Sequence, residues 1–187
     1  MSSAPCWRIC REVNEAPVAK VPSSGCMLPF RLVPARSAAD LARSAALLRA
    51  YADALDVDLC FQGFDEELAT LPGKYAPPEG ELLLALAPDS RALGCVALRP
   101  LDASGLCEMK RLYVEDAARG LGIGRALVAA IIAAAEARGY AEMRLDSLPS
   151  MHAALALYRS FAFSPIAAYC FNPVPGTVYL ARRLAPR

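Results

Sequence analysis

The sequence predicts a mixed α/β fold, and three observations lead to this prediction. Segments with the two-residue periodicity of strands alternate along the chain with segments that have the 3.6-residue periodicity of helices. Most of the strand-like segments follow one another through short turns, which favours antiparallel pairing. One of them, 106–114, is instead followed by a glycine-rich turn and an apolar helix, the order of a parallel crossover. At 187 residues, the chain is long enough to bury a core of its own.

The first half of the chain is predicted to contain four strands and two helices. Ser37 and Asp40 resemble a helix N-cap in front of an alanine- and leucine-rich segment. A turn at 88–90 joins two apolar strands, and the stretch 72–80, rich in Pro and Gly, is expected to hold neither helix nor strand. The predicted elements are a strand over 28–33, helices over 38–55 and 65–71, and strands over 81–87, 92–98 and 106–114.

The second half is predicted to contain two helices and three strands. A helix begins near Gly122, ends at Gly139, and buries a face made of Leu127, Val128, Ile131 and Ala135. A short strand over 142–146 follows. The next helix starts at 149–150 and carries an apolar stripe at helical spacing, formed by Ala154, Leu157, Tyr158 and Phe161. Strands over 163–168 and 177–184 complete the order β-α-α-β-β-β-α-β-α-β-β.

Composition limits the domain organisation and the partners. Residues 1–26 are rich in Pro, Ser and charge, so we expect a disordered extension or an over-long gene start, followed by one domain over 27–187. Lys and Arg (20) nearly balance Asp and Glu (19), which argues against a nucleic-acid partner. No apolar run is long enough to span a bilayer and no signal peptide is visible, so no membrane partner is expected. The 56% apolar content allows a homodimer without requiring one.

Cysteine and histidine usage indicates the compartment and argues against a metal site. The seven cysteines are odd in number and form no Cys-x-x-Cys pair, so neither a disulfide framework nor a zinc site is expected. A reducing, cytoplasmic location fits this pattern. The single histidine, His152, excludes a His-rich metal site and is interpreted as lying on an ordinary helix face.

The most informative segment is the glycine-rich turn at 119–125. Three alternate glycines lie between two arginines, so backbone N–H groups and the positive end of a helix can meet phosphate oxygens there. The lysine and hydroxyl of a P-loop are absent, and the spacing differs from the dinucleotide fingerprint. The candidate phosphate-binding residues are Arg119, Gly120, Leu121, Gly122, Ile123, Gly124 and Arg125.

Arg119, Gly122 and Gly124 match the pattern Arg/Gln-x-x-Gly-x-Gly/Ala, through which the chain resembles the GNAT superfamily of acyl-CoA-dependent N-acetyltransferases. The resemblance covers roughly residues 28–184. It implies a mixed, mostly antiparallel central sheet flanked by helices, with acetyl-CoA as co-substrate and no metal. It also implies that the 119–125 amides bind the coenzyme pyrophosphate. Backbone groups of Leu112, Tyr113 and Val114 would bind the pantetheine arm.

The resemblance also suggests catalytic residues. Tyr158, in a segment similar to the family's Leu-Tyr-x-x-x-Gly-Phe, is the candidate acid that protonates the departing thiolate. Glu108 is the candidate base, at a position similar to the catalytic glutamate of the histone-acetyltransferase branch. Simple alternation would put Glu108 on one face with Leu112, and a bulge usual in the family's strand would turn it away. Asp146 or a water relay is the alternative base.

The acceptor is a primary amine of undetermined identity: a small molecule, an amino acid or a peptide end. In this fold the pocket is built from the first two helices, the loop between them and the last strand pair. The matching residues are Phe61, Gln62, Phe64, Tyr75, Tyr169, Phe171 and Asn172, of which Phe61, Phe64 and Tyr75 are the candidate substrate-binding residues. Two positions depart from the family pattern: Met151 stands for Asn, and Ala162 for Gly. They leave open a non-catalytic acyl-CoA-binding regulatory module, or more remotely a relative that has kept only the fold.

Overall fold

The computed structural model describes residues 29–55 and 63–185. The predicted order of strands and helices is confirmed, with two additional 3-10 turns at Gly73–Tyr75 and Asp116–Ala118. The strands are β1 Arg31–Pro34, β2 Glu81–Leu86, β3 Ala92–Pro100, β4 Leu106–Val114, β5 Glu142–Ser147, β6 Ser164–Pro165 and β7 Val178–Arg183. The helices are α1 Ala38–Ala54, α2 Phe64–Ala69, α3 Ile123–Ala137 and α4 His152–Ser160.

Seven strands form one sheet in the order β1-β2-β3-β4-β5-β7-β6. Every neighbouring pair is antiparallel except β4 and β5, which the crossover through α3 makes parallel. This is the mixed, mostly antiparallel sheet that the sequence predicted. Helices α3 and α4 pack on one face around Leu127, Ile131 and Tyr158, whereas α1 and α2 cover the other face around Leu48 and Phe64.

Local sequence signals account for the helix boundaries. Ser37 and Asp40 form a capping box at α1, with the Asp40 amide donating to Ser37 Oγ at 3.1 Å. All four predicted buried residues of α3 lie in the first core. Helix α4 begins at His152, two to three residues later than predicted, and buries Leu155 as well as Tyr158.

Two predicted segments differ from the structure. The stretch 72–80 contains a 3-10 turn, because the Tyr75 amide donates to the Pro72 carbonyl at 2.7 Å. The strand predicted over 163–168 is only Ser164–Pro165. After Pro165, the Ile166 amide still donates to the Tyr179 carbonyl at 3.0 Å, but the chain then leaves the sheet. The proposed extension 1–26 lies outside the described residues.

Candidate active site

The site begins where β4 and β5 separate. Their parallel pairing covers only Leu106–Glu108 and Glu142–Arg144, although β4 continues to Val114 and β5 to Ser147. Beyond the paired part, the backbone of β4 that faces β5 has no strand partner in the described structure. Unpaired backbone groups bind ligands that offer amides and carbonyls of their own. The divergence therefore creates a wedge inside the sheet that can hold an extended, polar chain.

A β-bulge in β4 decides which side chains face this wedge. The pairing of β3 with β4 shifts between Cys95 and Ala97, so that Arg111 and Leu112 together face one residue of β3. Arg111 adopts a left-handed φ of 58°, unusual for a residue with a side chain. Because of the bulge, Glu108 lies on the opposite face from Leu112, as the resemblance implied. Simple alternation would have placed both on one face.

At one end of the wedge lies the glycine turn and the start of α3. Gly120 and Gly122 have φ of 83° and 77°, and a Cβ added at either would meet nothing within 4 Å. The first-turn amides of α3 have no side-chain cap, since Gly122 is the N-cap residue. These uncapped donors, with the helix dipole, fit an anionic group such as a pyrophosphate.

The two arginines of the turn are held differently. The Arg119 guanidinium contacts Asp116 at 2.6 Å, and both side chains are exposed. Arg125 instead donates to Ser160 Oγ at 3.2 Å and lies 5.0 Å from the centre of the Phe161 ring. Ile123 is buried in the first core, whereas Leu121 is 47% exposed. Arg119 is therefore the more readily available cation for a phosphate, because its ion pair is exposed and weak.

Two adjacent cavities lie along the wedge. The outer groove is bordered by Arg119, Gly124 and the β4 segment Leu112–Val114. The inner cleft is lined by residues that include Tyr51, Lys110, Arg111, Asp146, Met151, Tyr158, Asn172 and Val174. Both cavities share Leu112, Met151 and α1 residues as walls. A ligand on the glycine turn can thus extend to the inner cleft.

Tyr158 lies at the wall of the inner cleft on α4. The side chain is 7% exposed and packs edge-on against Phe163, with ring centres 6.0 Å apart. Burial raises the pKa of Tyr158 above its usual range, and the charge of Asp146 raises it further. The hydroxyl therefore stays protonated throughout the neutral and mildly alkaline range, and it is a group that can donate a proton.

Glu108 is wholly buried behind the inner cleft rather than in its wall. Its Oε2 accepts from Arg99 Nε at 2.6 Å, and its Oε1 accepts from the Tyr169 hydroxyl at 2.7 Å. Lys110 Nζ lies 3.7 Å from Oε1. Both carboxylate oxygens are engaged, so an amine in the cleft would reach Glu108 only after Tyr169 or Lys110 moved.

Asp146 is the carboxylate that does line the cleft. Its Oδ1 accepts from Lys110 Nζ at 3.2 Å, and its Oδ2 accepts from Asn172 Nδ2 at 2.8 Å. Burial by itself would raise the pKa of Asp146, but the Lys110 charge and these two hydrogen bonds outweigh it and hold the pKa below its usual range. Asp146 is therefore ionised and only weakly basic at neutral pH.

Of the predicted substrate residues, Phe64 and Tyr75 lie on the same face of the sheet as Arg111 and Glu108 but outside the wall of the inner cleft. Phe64 is buried in the second core, 5.0 Å from the Arg111 guanidinium. Tyr75 is 2% exposed and lines a separate cleft with Glu67 and Arg99. Phe61 falls outside the described residues. The structure brings neither Phe64 nor Tyr75 to the wall of the inner cleft.

Two charged residues of the site, Lys110 and Arg99, received no role in the sequence analysis. They lie at ordinary strand positions, and nothing in a single sequence separates them from surface cations. Tyr169 and Asn172 were named as residues of the substrate pocket, and Asn172 does line the inner cleft, but their carboxylate partners were not predicted. One pattern in the sequence did bear on the charged residues of β4. Glu108 and Lys110 alternate with the apolar Cys107 and Met109, which indicates that the two charged side chains share one face of the strand.

Glu108, Asp146 and Cys170 approach the geometry of a metal site, with one possible ligand atom from each lying within 4.8 Å of the others. Arg99 and Lys110 already occupy the carboxylate oxygens, and a cation there would have to displace both. The donor set therefore does not favour a metal. Separately, none of the helices in the described ranges has the length and apolarity to cross a membrane.

Comparisons with known proteins agree with this geometry. The sequence profile of the acetyltransferase (GNAT) family matches residues 47–163. An uncharacterised N-acetyltransferase of Schizosaccharomyces pombe is 45% identical over 134 residues, which are 72% of this chain and 82% of the relative. An acetyltransferase from Streptococcus agalactiae has the same fold, with a TM-score of 0.70 and 17% identity over 83% of this chain and 99% of its own.

A further solved structure shows this fold with the coenzyme. A GNAT family N-acetyltransferase from Escherichia coli, solved in complex with CoA, has a TM-score of 0.60 and 23% identity, covering 87% of this chain and 85% of its own. With the wedge, the uncapped helix and the family profile in agreement, the chain belongs to the acetyltransferase (GNAT) family and is an acyl-CoA-dependent N-acyltransferase.

Proposed function

We propose that this chain transfers an acetyl group from acetyl-CoA to a primary amine by direct attack of the amine on the thioester. One observation carries the proposal: the path formed by two adjacent cavities, from the uncapped amides of α3, along the unpaired edge of β4, to a polar cleft beside Tyr158. Amides that can bind an anion, an unpaired strand backbone and a candidate proton donor thus follow one another along the path.

The residues of the path fit the coenzyme. The amides of 119–125 and the Arg119 side chain would hold the pyrophosphate, because they present uncapped donors and positive charge. The backbone of Leu112, Tyr113 and Val114 would bind the pantetheine arm, since this edge of β4 has no strand partner in the described structure. Coenzyme A supplies the acyl thioester. The chain has to place its carbonyl near β4 amides that can stabilise an oxyanion.

Tyr158 is the proposed acid. Its side chain lines the inner cleft, and its raised pKa keeps the hydroxyl protonated before the thiolate sulfur departs. The same raised pKa makes the hydroxyl a weaker acid, so donation depends on a thiolate that is a strong base when it leaves. The tyrosinate then regains a proton from solvent.

For the base we favour a water relay. Glu108 is closed off by Arg99 and Tyr169, and the lowered pKa of Asp146 makes that carboxylate a poor proton acceptor. Asp146 still lies in the cleft wall, where its charge attracts an ammonium ion and orders water. The proton of the amine would leave through that water to solvent, while Asp146 and Lys110 stabilise the charges that pass.

The charged residues in and behind the inner cleft indicate which kind of amine it can accept. Lys110 pairs with Asp146, Arg99 with Glu108, and Arg111 with Glu67, so each cation has a carboxylate within 3.2 Å. A cleft whose charges compensate pairwise favours an acceptor with one amine and no large net charge over a polyamine. An amino acid, a peptide end or a small monoamine meets this requirement.

Isothermal titration with acetyl-CoA tests the coenzyme site. Gly122→Trp should abolish micromolar binding by filling the loop. Gly139→Trp is the matched control, because Gly139 also has a positive φ, 79°, and open space around it, but lies at the far end of α3. Binding that survives in Gly122→Trp, or is absent from the intact protein, would refute the proposed site.

An amine screen that measures release of the CoA thiol tests the reaction itself. The alternative function, a regulatory module that binds acyl-CoA without turnover, is favoured by Met151. Its thioether accepts a 3.8 Å contact from Ser147 Oγ in the wall of the cleft, where the family often has an asparagine. Tight acetyl-CoA binding with no thiol release from any amine would support that alternative.

A further inference from the structure

The segment 166–177 between β6 and β7, which we call the strap, is attached to the sheet in an unusual way. Within the described structure, none of residues 167–173 takes part in a backbone–backbone hydrogen bond. The chain in this part has no regular secondary structure. Between the Ile166 amide, which bonds to the Tyr179 carbonyl, and residue 174, side chains make the hydrogen bonds that hold the strap. One of them comes from the sheet, because the Tyr179 hydroxyl donates to the Cys170 carbonyl at 3.2 Å.

Two of these side chains bind the two buried carboxylates of the site. The Tyr169 hydroxyl donates to Glu108 Oε1 at 2.7 Å, and Asn172 Nδ2 donates to Asp146 Oδ2 at 2.8 Å. Glu108 belongs to β4 and Asp146 to β5. The strap is thus fastened to both strands that diverge to form the wedge.

Glu108 and Asp146, the two carboxylates that hold the strap, each have a second hydrogen-bonding partner. Arg99 binds the remaining oxygen of Glu108, and Lys110 binds the remaining oxygen of Asp146. The Tyr169 ring packs edge-on against Tyr179 at 5.7 Å and lies 5.5 Å from the Arg144 guanidinium. Hydrogen bonds to ionised acceptors are stronger than neutral ones, and they tolerate little displacement. The fixed carboxylates of Glu108 and Asp146, together with the packed ring of Tyr169, specify one position of the strap.

The position of the strap matters because Asn172 and Val174 form part of the wall of the inner cleft. Asn172 accepts from the Val174 amide at 3.0 Å through Oδ1 while donating to Asp146. Its amide therefore sets the distance between the cleft wall and β5. A shift of the strap would change the width of the cleft where the acceptor must enter.

We propose that Tyr169 and Asn172 are positioning residues that latch the strap onto Glu108 and Asp146 and so define the acceptor end of the cleft. This inference rests on the proposed function. It gives Glu108 the role of an anchor rather than of a base that contacts the amine. Removing either latch should weaken acceptor binding while leaving the coenzyme site intact.

Kinetics of Tyr169→Phe and Asn172→Ala separate this role from a general structural one. We expect the KM for the amine to rise about tenfold, the effect of losing one hydrogen bond to a charged group. The acetyl-CoA Kd should stay unchanged and kcat nearly so. Tyr140→Phe is the matched control, because its hydroxyl also makes one hydrogen bond, to the Glu79 carbonyl at 3.1 Å, away from the site.

The energetic coupling between Tyr169 and Glu108 gives a sharper test. Glu108→Gln should raise the amine KM less than Tyr169→Phe does, because the glutamine carbonyl can still accept from the Tyr169 hydroxyl but carries no charge. The two changes together should raise KM by less than the product of their separate effects, because both act on one contact. An unchanged amine KM in Tyr169→Phe and Asn172→Ala would overturn the proposal. A loss of kcat in Glu108→Gln with its KM unchanged would do the same, since it would show a base.

Alkylation of Cys170 gives a readout that does not need turnover. Cys170 lies next to Tyr169 in the strap and is partly buried. Its labelling by iodoacetamide, followed by mass spectrometry, should accelerate several-fold in Tyr169→Phe and in Asn172→Ala but not in Tyr140→Phe. The buried Cys95 and Cys107 serve as internal references. Unchanged labelling would overturn the inference that Tyr169 and Asn172 hold the strap, even if no amine were turned over. Failure of this inference is therefore distinguishable from failure of the proposed function.

Discussion

The Tyr158 side chain combines burial with a place in the wall of the inner cleft. Its pKa is raised by the apolar surroundings and by the charge of Asp146, so the hydroxyl stays protonated at neutral pH. In the acid role that we propose, it contributes only in the step in which the thiolate leaves. Its removal should therefore affect the rate of the reaction and not the binding of the coenzyme.

We expect Tyr158→Phe to lower kcat by about 100-fold or more, the usual contribution of a positioned acid. The acetyl-CoA Kd should change little, because the phenyl ring keeps the packing against Phe163. Steady-state kinetics and titration measure the two quantities. An equal loss of kcat in Tyr140→Phe, or no loss in Tyr158→Phe, would remove the acid role.

Ala162 occupies a position that favours glycine. Its φ is 61°, in the left-handed region, directly after α4. The family segment carries Gly here, and the side chain of alanine costs about 1 kcal/mol in this conformation.

Ala162→Gly is accordingly expected to stabilise the fold by roughly 0.5 kcal/mol, after the added freedom of the unfolded chain is subtracted. Urea unfolding would measure it. Ala156→Gly, at an exposed position inside α4, should instead destabilise the protein by about 1 kcal/mol. Two changes of the same sign would contradict the assignment of strain to Ala162.

Among the elements, α2 depends most on a single contact. Arg111, which the bulge directs away from the first core, makes two hydrogen bonds of 2.8 Å to Glu67 on α2. The guanidinium also lies 5.0 Å from the ring of Phe64. A six-residue helix has little stability of its own, so this buried pair fixes it to the sheet.

Glu67→Gln should lower the free energy of unfolding by about 3 kcal/mol, because Arg111 is 4% exposed and would be left without a charged partner. Glu66→Gln is the matched control: its side chain is exposed on the same helix, and its replacement should change stability by less than about 0.5 kcal/mol. Chemical denaturation of both variants decides the point. Similar losses in the two would show that the pair is not the anchor.

The elements also show which parts of the structure a sequence can predict. Strands and helices with clear periodicity, such as β4 and α3, were predicted within two residues of their ends. Residues 166–168, at the start of the strap, were predicted as strand because they are apolar, yet the strap is held by hydrogen bonds from its side chains to carboxylates distant in sequence. The partners of Glu108 and Asp146 could not be predicted either, because Arg99, Tyr169 and Asn172 approach them only through the sheet order.

At the scale of the whole molecule, two apolar cores enclose a layer of paired charges on one face of the sheet. Glu67 and Asp146 both have a pKa below the usual range. Burial would raise these values, but hydrogen bonds and charge from Arg111 and Lys110 outweigh it. The folded state thus binds fewer protons than the unfolded chain in the acid range.

Stability should consequently be fully present above about pH 5 and decline as the pH falls below about 4, through the lowered pKa values of the folded state. Urea unfolding at a series of pH values would show this decline. The difference between the wild type and Glu67→Gln should shrink towards low pH, whereas the curve of Glu66→Gln should stay parallel to that of the wild type. A constant difference for Glu67→Gln would contradict the assignment.

The separation of β4 from β5 has one more consequence, for the protein without its co-substrate. An unpaired strand edge is normally found at the border of a sheet, where it is a template for association with other chains. Here such an edge lies in the interior, along Met109–Val114, and stays open whenever the groove is empty. In the proposed function, occupancy by the coenzyme would cover this edge, so the co-substrate would protect the chain against misassociation as well as prepare it for the reaction.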